Sequence, residues 1–157
     1  MEISVEIINK LKDLAKQAFD NNEIPVSAII VDSLGNIVSE GLNTRQSTGN
    51  VLGHAEVNAI QAAGNKLEDW RLDGYSMIVT LEPCEMCSCI IKESRLDKVY
   101  YFLPKKYNDL EYNFNINKDQ ILGYGEDKEY FLELLTSFFD NKRWKPLFLW
   151  YNYPQEG

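Results

Sequence analysis

Four residues in the middle of the chain have the types and spacing of a hydrolytic metal site. His54 is the only histidine, Glu56 follows two residues later, and Cys84 and Cys87 lie in the segment Pro83-Cys84-Glu85-Met86-Cys87. A catalytic zinc ion takes three nitrogen or sulfur ligands from the protein and leaves a fourth position to water. His54, Cys84 and Cys87 supply such a set. Glu56 is then placed to exchange protons with that water as a general acid and base.

Other interpretations of the same residues are open. A lone histidine is usually a surface residue or a satisfied core residue, and Cys84 with Cys87 also has the spacing of a thioredoxin-like redox pair. The Glu85-Met86 pair between the cysteines and the matching His-x-Glu upstream give the redox interpretation little support. The third cysteine, Cys89, falls on another side of the same predicted helix, and we expect it to be a small buried hydrophobe.

Length and composition favour one globular domain over residues 1–157. The chain has 45% hydrophobic and 25% charged residues, which is ordinary for a globular protein with a sizeable core. It has no uninterrupted apolar run long enough to span a bilayer and no basic, apolar start. With two of three cysteines assigned to metal, no pair remains for a structural disulfide. We therefore expect a cytoplasmic protein without a membrane segment.

The net charge of −8 argues against simple nucleic-acid binding, which depends on lysine and arginine. Basic residues nevertheless cluster in two places, and these could contact phosphates or equally be solvated surface. The clusters are Lys92, Arg95, Lys98, Lys105 and Lys106, and then Lys142, Arg143 and Lys145.

Hydrophobic spacing predicts the elements that must position the candidate ligands. Helical periodicity covers about Val5 to Asp20, and two strands, Pro25 to Val31 and Ile37 to Gly41, form a predicted hairpin. The polar segment from Asn43 to Gly53 is expected to be a loop that connects the hairpin to His54.

Each group of ligands opens a predicted helix. The first runs from His54 to Ala63 with Gly64 as its stop, and the second from Cys84 to about Ser94. The second helix lies between two predicted strands, which predicts a β-α-β unit with both helix starts at one end of the sheet. The strands are Met77 to Leu81 and Lys98 to Leu103.

The remainder of the chain is less regular. Residues Pro104 to Tyr124 are expected to be a loop with at most one short element, and Glu126 to Asn141 a final helix. The aromatic tail Leu147 to Tyr151 has two interpretations of equal weight. One is an edge strand or a flap over the core, and the other is a subunit interface.

Taken together, these motifs resemble the cytidine deaminase-like superfamily, and within it most closely the bacterial tRNA adenosine deaminases. The resemblance covers roughly Leu11 to Phe102. Besides the His-x-Glu and Pro-Cys-x-x-Cys motifs, the matching segments are Ile24-Pro25-Val26, Gly41-Leu42-Asn43, Trp70-Arg71-Leu72 and Val79-Thr80-Leu81-Glu82-Pro83-Cys84. It implies a three-layer α/β/α sandwich with a central mixed sheet of about five strands.

The resemblance also implies roles for individual residues. His54, Cys84 and Cys87 would hold one Zn²⁺ per subunit, and Glu56 would carry a proton between water and the base. Asn43 would hydrogen-bond the purine, and Ala55 would contact the base through its backbone. The implied reaction is hydrolytic deamination of adenosine to inosine at the wobble position of a tRNA anticodon arm, by a homodimer.

Two alternatives to the tRNA reaction follow from the sequence. After Phe102 the family usually continues Phe-Gly-Ala and a glycine-rich stretch, whereas this chain reads Leu103-Pro104-Lys105-Lys106-Tyr107. That departure and the net charge are compatible with a deaminase of a free nucleobase, nucleoside or nucleotide of the cytosine or guanine type. A non-catalytic, zinc-stabilised partner subunit is the second alternative, and Glu56 argues against it because a structural site needs no proton shuttle.

Overall fold

The computed structural model describes residues 2–105, 121–124 and 127–140. Within these ranges the chain forms five strands and five helices, one of them a single turn. In chain order they are α1 (Val5–Asp20), β1 (Ser27–Val31), β2 (Ile37–Leu42), α2 (Arg45–Thr48), α3 (Ala55–Leu67), β3 (Ser76–Leu81), α4 (Glu85–Ser94), β4 (Lys98–Leu103), β5 (Ile121–Gly123) and α5 (Lys128–Asp140).

The strands form one mixed sheet in the order β2-β1-β3-β4-β5. β1 runs antiparallel to both β2 and β3, while β3, β4 and β5 are mutually parallel. A parallel pair of consecutive strands needs a crossover, and α4 provides it between β3 and β4. As a result, the start of β1 lies at the same edge of the sheet as the ends of β2, β3 and β4.

Helices cover both faces of this sheet. The Ser27 hydroxyl of β1 donates to the Leu11 carbonyl of α1, whereas the Ser39 hydroxyl of β2 donates to the Ala59 carbonyl of α3. Ser39 pairs with Ile30, and positions 27 and 30 of one strand point to opposite faces. α1 and α3 therefore lie on opposite sides, and the three-layer α/β/α expectation is confirmed.

The two outer layers are completed by the other long helices. α5 joins α1, where Phe19 and Phe138 meet edge to face at 6.2 Å, and packs on β4 through Phe131 and Phe102 at 4.9 Å. α3 and α4 contact each other in the layer that carries the candidate ligands. All five residues of β1 are buried, as expected for a strand with both faces covered.

The predicted elements are largely confirmed. α1 has the expected bounds, and its N-cap is Ser4, whose hydroxyl accepts the Ile7 N–H at 3.3 Å. The hairpin, the β-α-β unit and the final helix are also present. The predicted loop 104–124 ends in the short strand β5. Residues 106–120 and the aromatic tail Leu147 to Tyr151 lie outside the described residues, as do Lys106, Lys142, Arg143 and Lys145.

Three predictions require correction. The segment Asn43 to Gly53 is not entirely loop, because it contains the single turn α2. Gly64 does not end α3, which continues to Leu67 and stops at Glu68, a residue in the left-handed conformation whose N–H bonds the Gly64 carbonyl. Cys89 is exposed, not buried, because the face of α4 that packs inward carries Cys87 and Ile91 instead.

No helix among the described residues is both long and apolar enough to cross a membrane.

Candidate functional site

Two helix starts meet at the edge of the sheet where β3 ends. His54 is the N-cap of α3 and Cys84 is the N-cap of α4, and the carbonyl of each accepts the first backbone bond of its helix. Pro83, two residues after the end of β3, has no N–H to continue a ladder and separates the strand from the helix. Cys87 then lies in the first turn of α4. Residues separated by thirty positions in the sequence are thereby brought together.

The three candidate ligands form a compact group. Their ligand atoms all lie within 4.8 Å of one another, and Nδ1 of His54 is 3.7 Å from Sγ of Cys84 and 3.4 Å from Sγ of Cys87. Tetrahedral bonds of about 2.3 Å to sulfur and about 2.0 Å to nitrogen put neighbouring nitrogen and sulfur ligands about 3.5 Å apart. The donor types and their separation therefore fit one zinc ion, with a fourth position left for water.

The surroundings of the sulfur atoms favour a thiolate. A hydrogen bond from the Cys87 thiol lowers the pKa of Cys84 far below its ordinary value, with further contributions from His54 and the positive charge of Lys105. Both cysteines are near the amino end of α4, where the helix dipole also favours negative charge. A redox pair would not require the third donor, Nδ1 of His54, that faces both sulfurs.

Glu56 is buried beside this group. Its carboxyl is in the first turn of α3, two residues after His54, and only 4% of the residue is exposed. Burial raises the pKa of Glu56, and the nearby charge of Cys84 raises it further. A carboxyl with a raised pKa holds a proton more readily, which suits the role of a general acid and base.

A small cavity of about 20 Å³ opens beside the ligands. Part of its lining, here called the helix-start wall, comes from the first residues of α3 and α4: His54, Ala55, Glu56 and Cys84. The remainder, here called the strand-end wall, comes from residues that flank the strands at one sheet edge: Val26, Asn43, Leu81, Glu82 and Lys105. The cavity thus combines a potential metal site with a mixed polar and apolar surface.

Asn43, which the resemblance associates with the purine, lies in the strand-end wall. It is 4% exposed, its N–H donates to the Val26 carbonyl at 3.2 Å, and its Oδ1 accepts the Arg45 N–H at 3.4 Å. The Asn58 side chain of α3 donates to the Leu42 carbonyl at 2.8 Å and to the Thr44 hydroxyl at 2.9 Å. These bonds hold the chain after β2 against the cavity.

Glu23 anchors the next part of that segment. Although it is a charged residue, it is 1% exposed, and its two carboxylate oxygens accept the N–H groups of Gln46 at 3.1 Å and Ser47 at 2.6 Å. Both N–H groups belong to the first turn of α2, where backbone N–H groups have no acceptor within the helix. Glu23 therefore fixes α2, and with it the backbone that follows Asn43.

Gly41 allows α3 to approach β2 closely. A Cβ at this position would collide with the Ala55 carbonyl oxygen and would lie 2.6 Å from the Ala59 nitrogen. Since both contacts are with backbone atoms, no side-chain rotation can relieve them. The absence of a side chain at position 41 therefore sets how deeply the start of α3, including His54 and Glu56, is seated.

The structure brings together all six residues singled out from the sequence. Asn43, His54, Ala55, Glu56 and Cys84 line the cavity, and Cys87 completes the ligand group behind it. Sequence reasoning missed Glu23 and Glu82. It noted Lys105 only as a member of a basic cluster; Lys92, Arg95 and Lys98 of that cluster are exposed. Nothing in the sequence indicated a role for Glu23, Glu82 or Lys105 at the site. Their positions there depend on contacts between residues that are distant in sequence.

Comparison with protein families gives a match over most of the described chain. The profile of the family described as "Cytidine and deoxycytidylate deaminase zinc-binding region" matches residues 1–103. That range contains all four residues of the candidate metal and proton-transfer site.

Individual relatives and structures are similar in the same region. The chain is 38% identical to a tRNA-specific adenosine deaminase of Aquifex aeolicus, over 82% of this chain and 89% of the relative. It is 45% identical to one of Rickettsia felis, over 54% of this chain and 59% of that protein, so it spans about three fifths of that relative. A structure from a study of A-to-I editing by tRNA:A34 deaminases matches with a TM-score of 0.60 and 31% identity, covering 62% of this chain and 74% of the other.

Proposed function

The chain belongs to the family of cytidine and deoxycytidylate deaminase zinc-binding regions and is a zinc-dependent deaminase, and from this premise we propose that it converts adenosine to inosine at the wobble position of a tRNA. The observation that carries this choice of substrate is the similarity to a tRNA-specific adenosine deaminase over most of both chains. The structural relative is likewise described in terms of tRNA:A34 editing.

Zinc held by His54, Cys84 and Cys87 would supply the Lewis acid that makes water a nucleophile at neutral pH. The overall reaction exchanges the C6 amino group of adenosine for an oxygen, so that adenosine and water give inosine and ammonia. Glu56 takes the proton that water loses and returns it to the departing amine. Its buried carboxyl, next to the ligands and facing the cavity, supports this role.

The strand-end wall and the start of α3 would hold the base. We assign Asn43 to hydrogen bonding with the purine and Ala55 to a backbone contact with it. Both residues line the cavity with Glu56, and the bonds of Asn43 to Val26 and Arg45 hold it in place before a substrate arrives. A preorganised polar group loses little entropy when it binds the substrate.

The partners follow from the same assignment. We propose a tRNA anticodon arm as the substrate and a homodimer as the active species, as the family resemblance implies. We also propose that residues 1–157 act as one domain, and a tRNA substrate places the reaction in the cytoplasm. The molar mass of the zinc-loaded protein by light scattering tests the dimer, for which twice the 18.1 kDa chain mass is expected.

The test of function is inosine formation in arginine tRNA whose wobble position is adenosine. Zinc-loaded wild-type protein should convert that adenosine, and the Glu56→Ala variant, also zinc-loaded, provides the blank. Conversion by the wild type alone supports the proposal. Its absence in a protein with bound zinc contradicts it.

The net charge of −8 favours one second candidate, a deaminase of free nucleobases, nucleosides or nucleotides. Ammonia release from cytosine, guanine and adenine compounds distinguishes the two. If a small compound were converted faster than the tRNA, the protein would instead be assigned as a deaminase of free nucleobases, nucleosides or nucleotides.

A further inference from the structure

Lys105 is placed at the catalytic cavity by the end of β4. Among the described residues that line the cavity, it is the one lysine or arginine. It is half-buried and follows β4 by two residues, on the sheet edge where β3 also ends. The other charged groups in the lining, apart from the candidate ligands, are the carboxylates of Glu56 and Glu82. A single basic residue therefore lines a cavity whose other charged side chains are acidic.

Hydrogen bonds fix the backbone of Lys105. Its N–H donates to the Glu82 carboxylate at 2.7 Å, while the Glu82 N–H donates to the Leu103 carbonyl at 2.8 Å. These two bonds connect the ends of the neighbouring parallel strands β3 and β4. The Glu82 carboxylate accepts from the backbone of Lys105, so this bond positions the residue through its main chain.

Lys105 lies beside the reacting region. It lines the same cavity as Glu56 and the candidate ligands His54 and Cys84. A base bound against Glu56 would therefore share this cavity with Lys105. A nucleobase or nucleoside presents no anion there, whereas a nucleotide in a strand has a phosphate on each side of its ribose.

We propose that Lys105 binds a phosphate next to the nucleotide whose base enters the cavity, and so selects nucleotides over free bases and nucleosides. Lysine is a common phosphate ligand that acts as a compact positive charge. The inference rests on the proposed deaminase function and deepens it, because it names a substrate group that the cavity recognises besides the base. The same contact would serve a phosphate of an RNA strand or of a mononucleotide.

The experiment compares zinc-loaded wild type with Lys105→Ala, Lys105→Arg and Lys66→Ala on an anticodon stem-loop RNA. Lys66 is an exposed lysine in the last turn of α3, at the end of that helix opposite to His54, so its removal matches the charge change. Steady-state kinetics are measured over a series of salt concentrations. Zinc content is measured for each variant.

Lys105→Ala should raise KM about tenfold with kcat nearly unchanged, as expected for loss of one charge-assisted bond. The slope of log(kcat/KM) against log salt should become shallower by about 0.7, the contribution of one single-strand phosphate. Lys105→Arg should retain both values within about twofold, and Lys66→Ala should match the wild type. An unchanged salt slope, a loss confined to kcat, or loss of zinc in Lys105→Ala would each overturn the proposal.

A wild type that leaves the RNA unchanged would refute the tRNA assignment and not this inference. The comparison is then made on nucleosides and their monophosphates. Lys105→Ala should reduce the preference for the monophosphate, as a ratio of kcat/KM values, about tenfold. An equal ratio in the two proteins would overturn the inference.

Discussion

The two walls of the cavity are built in different ways. The helix-start wall comes from two short sequence motifs, each of which places its residues at the first turn of a helix. The strand-end wall collects single residues from four separate segments, which meet only because β1 runs antiparallel to its neighbours. Chemistry that needs fixed mutual geometry is thus encoded locally, whereas the surface around the substrate depends on the assembled sheet. Each wall should respond differently to substitution.

The largest effect is expected in the ligand group. Cys87→Ser replaces a buried sulfur ligand by a hydroxyl that zinc binds poorly, so bound zinc should fall from one per chain to near zero and deamination should disappear. Metal analysis of the dialysed protein, together with ammonia release, measures both. Retention of stoichiometric zinc would show that His54 and Cys84 suffice with some other donor.

Glu56→Gln should separate catalysis from metal binding. The amide keeps the size of the side chain but cannot shuttle a proton, so kcat should fall by a factor of about 10² to 10⁴ while zinc remains bound. Single-turnover deamination and metal analysis on the same sample give the two quantities. If zinc were lost as completely as in Cys87→Ser, Glu56 would have to be counted as a ligand.

The strand-end wall should be more tolerant, and Glu23, which anchors the segment after Asn43 from outside the wall, tests this. Glu23→Ala removes the acceptor of two backbone N–H groups, which should lower the free energy of unfolding by about 1 to 3 kcal/mol and raise KM through the loosened segment after Asn43. Urea denaturation and steady-state kinetics provide the measurements. Glu23→Gln, which retains one acceptor, should lie between the wild type and Glu23→Ala. A fall in zinc content in either variant would contradict the separation of the two walls.

Cys89→Ser should have the smallest effect. Cys89 is exposed on α4, two residues beyond a ligand, so its substitution should leave zinc content, activity and stability close to those of the wild type. Colorimetric thiol titration of the native protein should detect this cysteine in the wild type and lose it in the variant. Reduced zinc in Cys89→Ser would mean that the sulfur competes for the metal.

Local pattern accounts for what the sequence predicted correctly. The apolar spacing of α1, the continuous apolar run of β1 and the spacing from Cys84 to Cys87 act within one or two turns of chain, so composition and periodicity are sufficient. The parallel pairing of β3 and β4 followed from the single helix between them. The ligand group could therefore be predicted from residue types and spacing alone.

Long-range contacts account for what the sequence did not predict. In the sequence, Glu23 resembles any acidic residue near the end of a helix. Its role becomes visible only in the folded chain, where α2, more than twenty residues later, supplies two backbone N–H donors to its carboxylate. Gly64 has the type of a helix stop, but α3 continues along the sheet and ends at Glu68 instead, where packing outweighs the intrinsic preference of glycine. The orientation of Cys89 depended on which face of α4 turned inward. Each case required tertiary information.

The close approach at Gly41 limits how the substrate range of this protein can be altered. The position of the start of α3 beside the cavity is set by the close approach of main-chain atoms of β2 and α3, and exchanging side chains cannot shift it. Room for a larger or smaller base must instead be made among residues such as Val26 and Leu81, whose side chains can be shortened without moving α3. An engineered change of specificity should therefore begin at the ends of the strands.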